Sequence, residues 1–279
     1  MRQLRLDLSV RRDYRLISME SPAQEPIGAP AMDAPRAGRS RAARLVAHPG
    51  SPPLAQAGRT RDGQPPLDEY YNSLFTAFGP QHWWPGKTRF EIIVGAILTQ
   101  NTSWTNVEQA IANLRTAGLL SLRGIEAVSL RRLEKLVRPS GYFRQKSRKL
   151  KAFCAFVSNE YRGSLKRMFE TPTMALREKL LGVFGIGPET ADSILLYGGD
   201  HGVFVVDAYT RRILSRHGWI HEKTKYEDIR WMFERQFPGN AERFNEFHGL
   251  IVTAGKRFCR KQEPLCGECP LGRYLQEGQ

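Results

Sequence analysis

The stretch LGVFGIGPETADSILLY, residues 181–197, decides the fold. Leu181 ends one helical pattern, Gly185 and Gly187 punctuate a turn, and Pro188 suits the first position of a new helix, where its missing N–H costs nothing. Glu189 then falls in the first turn, where a carboxylate interacts favourably with the helix dipole. Glycines at such a turn let backbone amides approach an anion closely, and the helix N-terminus beyond them favours negative charge. Gly185, Ile186, Gly187, Glu189 and Thr190 thus form a candidate phosphate-binding hairpin. A Gly-x-Gly turn between helices also serves plain packing. What tips the reading toward chemistry is VVDAYTRRIL at 205–214, which puts a carboxylate, Asp207, at the start of the next helix.

Working outward, apolar residues recur at helical spacing. Phe90, Ile93, Val94, Ile97 and Leu98 share one face, as do Leu150, Phe153, Cys154 and Val157. Further helices are predicted over 105–115, 129–137, 174–181, 189–197, 208–216, 226–237 and 241–257. The one strand signal, GVFVVDAY at 202–209, is short and lies between helices. The pattern predicts an all-α fold with short loops and no internal repeat. Residues 1–65 are rich in Ala, Pro, Gly and Arg without periodicity and are expected to be a disordered basic extension.

The 279-residue chain is 41% hydrophobic, enough for a substantial core, and carries a formal net charge of +14. Residues 1–65 contribute +5 of this, so +9 stays on residues 66–279 and the folded part is itself basic. Such a surface attracts polyanions, nucleic acid first among them. No apolar run is long enough for a membrane span, and the first residues lack the pattern of a secretory signal. A cytoplasmic, nucleoid-associated monomer is expected. Three of the four cysteines, Cys259, Cys266 and Cys269, crowd into the last 21 residues with ligand-like spacing, which argues for a metal or cluster site and against a disulfide framework.

Taken together, LTQNT at 98–102, PSGYFRQKS at 139–147, the GIGPETAD hairpin, VVDAYTRRIL and the C-terminal cysteines resemble the helix-hairpin-helix DNA glycosylases, particularly the endonuclease III branch. The resemblance spans roughly residues 68–275. It implies two helical domains, a central part over 88–198 and a second built from 66–87 with 199–258, with the substrate in the cleft between them and a cysteine loop over 259–275. It also implies that Asp207 is the catalytic carboxylate. Breaking an N-glycosidic bond builds positive charge on the sugar, which a fixed anion stabilises while it orients or deprotonates the attacking water. Asp207 is equally a good N-cap for the helix starting at Ala208, and the two jobs are compatible. In members that also cut the DNA backbone, a hairpin Lys forms a Schiff base with the sugar. Here Glu189 holds that position, so a monofunctional glycosylase is expected.

His82-Trp83-Trp84-Pro85 and Trp104 look like segments of the bacterial 3-methyladenine glycosylases of this fold. The resemblance implies that Trp83, Trp84, Pro85 and Trp104 form a π-rich pocket for an alkylated, cationic purine. The tryptophans can also be read as ordinary core aromatics. Gln100 matches the residue that fills the gap left by a flipped base, or simply ends its helix. Arg144 and Lys146 are candidate phosphate contacts, or part of a solvated charged face. Cys259, Cys266 and Cys269 match three ligands of a [4Fe–4S] cluster, with Leu275 where the fourth cysteine belongs. That leaves a cluster with another fourth ligand, a zinc site, or a lost cofactor; Cys154 reads as a core thiol. The partner expected is double-stranded DNA containing a damaged base. The competing functions are an oxidised-pyrimidine glycosylase with lyase activity and a non-catalytic DNA-damage binder.

Overall fold

Apolar side chains at intervals of three and four build twelve α-helices in a computed structural model, which describes residues 64–84 and 86–275. These belong to the unit Gln56–Gln279. The expected extension and Pro85 lie outside the described residues, apart from the last two positions of the extension.

The order is α1 (Leu67–Phe78), α2 (Arg89–Leu98), α3 (Trp104–Thr116), α4 (Leu122–Ala127), α5 (Leu130–Val137), α6 (Phe143–Tyr161), α7 (Leu165–Phe169), α8 (Thr173–Leu181), α9 (Pro188–Ser193), α10 (Ala208–Arg216), α11 (Tyr226–Gln236) and α12 (Ala241–Arg257). Local chemistry sets several starts. Thr88 caps α2 by accepting from the Glu91 amide at 3.1 Å, and Ser121, Ser129 and Asn240 cap α4, α5 and α12 in the same way. α2 is the central helix: Ile93, Val94, Ile97 and Leu98 are all fully buried, because α3, α6 and α9 pack around it. α1 packs on α11 and α12, and α10 on α12, so the two ends of the described chain meet.

No strand occurs among the described residues. The strand signal at 202–209 corresponds to an extended connection leading into α10, with Val203, Phe204, Val205 and Val206 at most 1% exposed. Its backbone donors find side chains of α11 in place of a partner strand: Phe204 N donates to Glu234 Oε1 (3.0 Å) and Val206 N to the Tyr226 hydroxyl (3.3 Å). Continuous apolar runs of this length do not separate a buried strand from buried extended coil. After Ser193, helix α9 widens into a π-helical turn, Ile194–Gly198, from which Tyr197 projects. None of the described helices is long and apolar enough to cross a membrane.

Candidate active site

Asp207 is the N-cap of α10. Its Oδ1 accepts from both the backbone N (2.8 Å) and the hydroxyl (2.9 Å) of Thr210, which fixes the carboxyl plane. Its Oδ2 faces the buried His248 of α12, whose Nε2 stands 3.6 Å away. The Nδ1 of His248 is 2.7 Å from the Tyr197 hydroxyl. Burial alone would raise the Asp207 pKa; the proximity of His248 and the two Thr210 bonds outweigh it and hold the carboxyl below its usual range. Asp207 is therefore ionised at neutral pH. Neither His248 nor Tyr197 stands out in the sequence, because each also fits the apolar face of its helix.

The aromatic residues gather beside this carboxylate. Trp84 stacks on Tyr197 with centroids 4.7 Å apart and planes at 20°, and Trp104 meets Trp84 edge-on at 5.1 Å. Trp83 packs edge-on against Trp84 (6.1 Å) and His248 (6.0 Å). All three tryptophans are only partly buried. Gly95 of α2 makes room for two of them: a Cβ there would sit 3.4 Å from both Trp84 and Trp104. Lys256 of α12 lies half-buried with Nζ 5.5 Å from the Trp83 ring centroid; burial lowers its pKa and the charge of Asp207 acts against that.

The hairpin forms as its glycines require at one position. Gly185 has φ of 78°, in the left-handed region, whereas Gly187 is extended. A Cβ at Gly185 would also strike the Lys149 side chain at 2.5 Å. Ile186 and Thr190 are buried, while Gly187 and Glu189 are exposed. Glu189 is accessible to water yet recessed in surrounding protein. Burial and then the negative charge of Asp207 push its carboxyl up to about 7.

Gln100 lies on the hairpin. Its Nε2 donates to Thr190 Oγ1 (2.7 Å) and Gly185 O (3.3 Å), and its Oε1 accepts from Lys149 Nζ. Arg144 is exposed beside the Phe143 ring. Lys146 is not: it is 1% exposed, and its ammonium donates to Leu98 O (2.9 Å) and Ser140 O (2.5 Å). Its expected place on a DNA-facing surface is corrected accordingly. Helical spacing turns Lys146 inward, and two carbonyls at the ends of neighbouring helices take up its charge, while burial lowers its pKa to about 8.

Cys259, Cys266 and Cys269 line one small cavity with Arg216, His217 and Leu275. Arg216 Nη1 donates to Cys259 Sγ at 2.9 Å, and Arg212 Nε to Cys259 O at 2.6 Å, so α10 anchors the loop. His217 has its Nδ1 at 2.6 Å from the Tyr70 hydroxyl. Cys154 is fully buried on α6, a core thiol. Among the described residues, no three Cys, His, Asp or Glu side chains group closely enough to hold one metal ion. The donor set around the shared cavity is three thiols, and Leu275, which offers no ligand atom on its side chain, lines it as well.

Residues 94–238 match the model of the HhH-GPD superfamily base excision DNA repair proteins. A Methanocaldococcus jannaschii protein, provisionally named a DNA repair glycosylase, is 47% identical over 73% of this chain and 93% of its own. Endonuclease III of Sulfolobus acidocaldarius is 29% identical over 68% of this chain and 84% of its own. Among solved structures, the Helicobacter pylori 3-methyladenine DNA glycosylase bound to 1,N6-ethenoadenine is 29% identical with a TM-score of 0.61, covering 68% of this chain and 97% of that one. A non-covalent endonuclease III–DNA complex shares the fold at 21% identity with a TM-score of 0.65, over 76% and 94%. The chain belongs to the HhH-GPD superfamily of base excision DNA repair proteins.

Proposed function

We propose that this DNA glycosylase of base excision repair is monofunctional: it flips an alkylated purine out of duplex DNA and hydrolyses its glycosidic bond with Asp207. The observation that carries the reading is an ionised Asp207 beside the Trp83, Trp84 and Trp104 cluster. Electron-rich rings attract a cationic base by about 0.5 to 2 kcal/mol, and such a base leaves readily, so little acid assistance is needed. In the reaction, water attacks C1′ and gives a proton to Asp207 Oδ2, while the C1′–N electron pair departs with the base. The likeness to a glycosylase bound to an adenine derivative supports a purine.

Glu189 supports hydrolysis in place of imine chemistry, because a carboxylate cannot form a Schiff base. The Gly185–Ile186–Gly187 turn, with Glu189 and Thr190 opening α9, is the phosphate grip, and Arg144 is an outer contact. Gln100, once released from Thr190 and Lys149, fills the gap in the duplex. A lyase reading would need another amine, and Lys256 beside Trp83 is the candidate. Cys259, Cys266 and Cys269 would hold a [4Fe–4S] cluster at three corners, tying the C-terminal loop to α10. Iron and acid-labile sulfide measured in anaerobically purified protein, and lost in Cys266→Ser, check that assignment.

The primary test is base release from methylated duplex DNA by the wild type and Asp207→Asn, with and without later alkali. The expected result is release of methylated purines, strand breaks only after alkali, and a loss of about 10²-fold or more in Asp207→Asn. Asn is also a good N-cap, so DNA binding and folding should survive the substitution. Breaks without alkali would overturn the monofunctional reading, and an active Asp207→Asn would overturn the role of Asp207.

A further inference from the structure

We infer that Tyr197 and His248 are positioning residues for Asp207: the Tyr197 hydroxyl fixes the imidazole tautomer that directs an N–H at the catalytic carboxylate. The inference rests on the proposed role of Asp207.

Burial and the nearby negative charge of Asp207 hold the Tyr197 phenol well above its usual pKa, so the hydroxyl keeps its hydrogen. His248 Nδ1 lies 2.7 Å from that oxygen. A hydroxyl that donates to Nδ1 leaves the hydrogen of a neutral imidazole on Nε2. Nε2 is buried, has no partner within hydrogen-bond distance, and faces Asp207 Oδ2 at 3.6 Å. Since Thr210 occupies Oδ1 twice, Oδ2 is the oxygen left for chemistry, and His248 is set to steer it. The gap is about half an ångström longer than a hydrogen bond, a looseness common in catalytic sites before substrate binds.

The chain of contacts extends into the base pocket, because Trp84 stacks on the Tyr197 ring. A base packed against Trp84 thus bears on the residue that sets the His248 tautomer. The titratable groups around His248 are Tyr197 on the π-helical turn, Asp207 at the start of α10 and Glu189 on α9, with Lys256 further along α12 near Asp207; Trp83 and Phe204 complete the surroundings.

The test uses the whole protein. Nitrogen-15 NMR of the histidine rings should find the His248 hydrogen on Nε2 in the wild type and redistributed toward Nδ1 in Tyr197→Phe. Single-turnover base release by Tyr197→Phe should fall about 10-fold with DNA affinity unchanged. His248→Leu should lose roughly 10- to 100-fold, and His248→Gln, whose amide N–H falls near the Nε2 position, should keep more.

An Nδ1 hydrogen in the wild type would overturn the inference. So would a Tyr197→Phe rate equal to wild type in a protein whose activity needs Asp207. If the wild type releases no base, the glycosylase reading fails on its own account, and the NMR result still decides the tautomer.

Discussion

Replacing Glu189 with Gln removes one of two carboxylates that share the site. Burial and Asp207 raise the Glu189 carboxyl from 4.5 to about 7 in the folded protein. The unfolded chain therefore ionises first as pH rises, and the fold bears a cost that begins near the unfolded value and is complete above about 7. Sealed from water, a shift of this size would correspond to about 3 kcal/mol. Glu189 is exposed on the surface of its recess, so solvent screening reduces the expected cost to about 1 kcal/mol. Glu189→Gln escapes that cost. Its stability relative to wild type, from urea unfolding, should improve by about 1 kcal/mol between about pH 4.5 and about pH 8.5. The base-release profile should change in parallel, with the wild-type inflection near 7 absent from the variant. A stability difference that is the same at both pH values would refute the reasoning, since Glu189 would then ionise as freely folded as unfolded.

Lys146→Met should destabilise the fold by roughly 2 to 4 kcal/mol in urea unfolding, because it strands the Leu98 and Ser140 carbonyls. The salt dependence of DNA binding should not change. Arg144→Ala should do the reverse, lowering the slope of log affinity against log salt by about 1 with stability intact. Trp84→Leu should reduce excision of a cationic methylated purine more than that of a neutral lesion, by roughly 2- to 30-fold in relative single-turnover rate.

The fold was legible because its periodicity is plain. The α2 face of Ile93, Val94 and Ile97 and the α6 face of Leu150, Phe153 and Val157 are buried as their spacing requires. The segment at 203–206 was not, since four apolar residues in extended coil carry the same signal as a buried strand. Among the site residues, Asp207 could be picked because it follows the glycine hairpin within the VVDAYTRRIL motif; a carboxylate before a helix by itself reads as an N-cap. His248 could not: on an apolar helical face, histidine reads as core until Tyr197 and Asp207 are brought to its two nitrogens. Lys146 failed for a related reason. It lies in the basic run Arg144, Lys146, Arg148, and sequence spacing does not tell which member of such a run turns inward to meet helix-end carbonyls.

Charge in this protein therefore has to be apportioned before it is assigned to DNA. The ammonium of Lys146 is neutralised internally by dipoles, and Arg216 and Arg212 face the cysteine loop. Arg177 is held by Asp192 and Glu227 within the core. Each of these enters the formal net charge of +14 but is directed away from a phosphate backbone. Near Asp207 the balance runs the other way. Asp207 and Glu189 stand together, and the nearby Lys256 has a pKa that burial lowers. A site poised toward negative charge suits the proposed reaction, in which an alkylated base and the developing sugar cation are both positive. The elevated carboxyl of Glu189 sets the limit on that arrangement: two fully ionised carboxylates would repel, and the protonation of Glu189 leaves Asp207 as the anion of the pair.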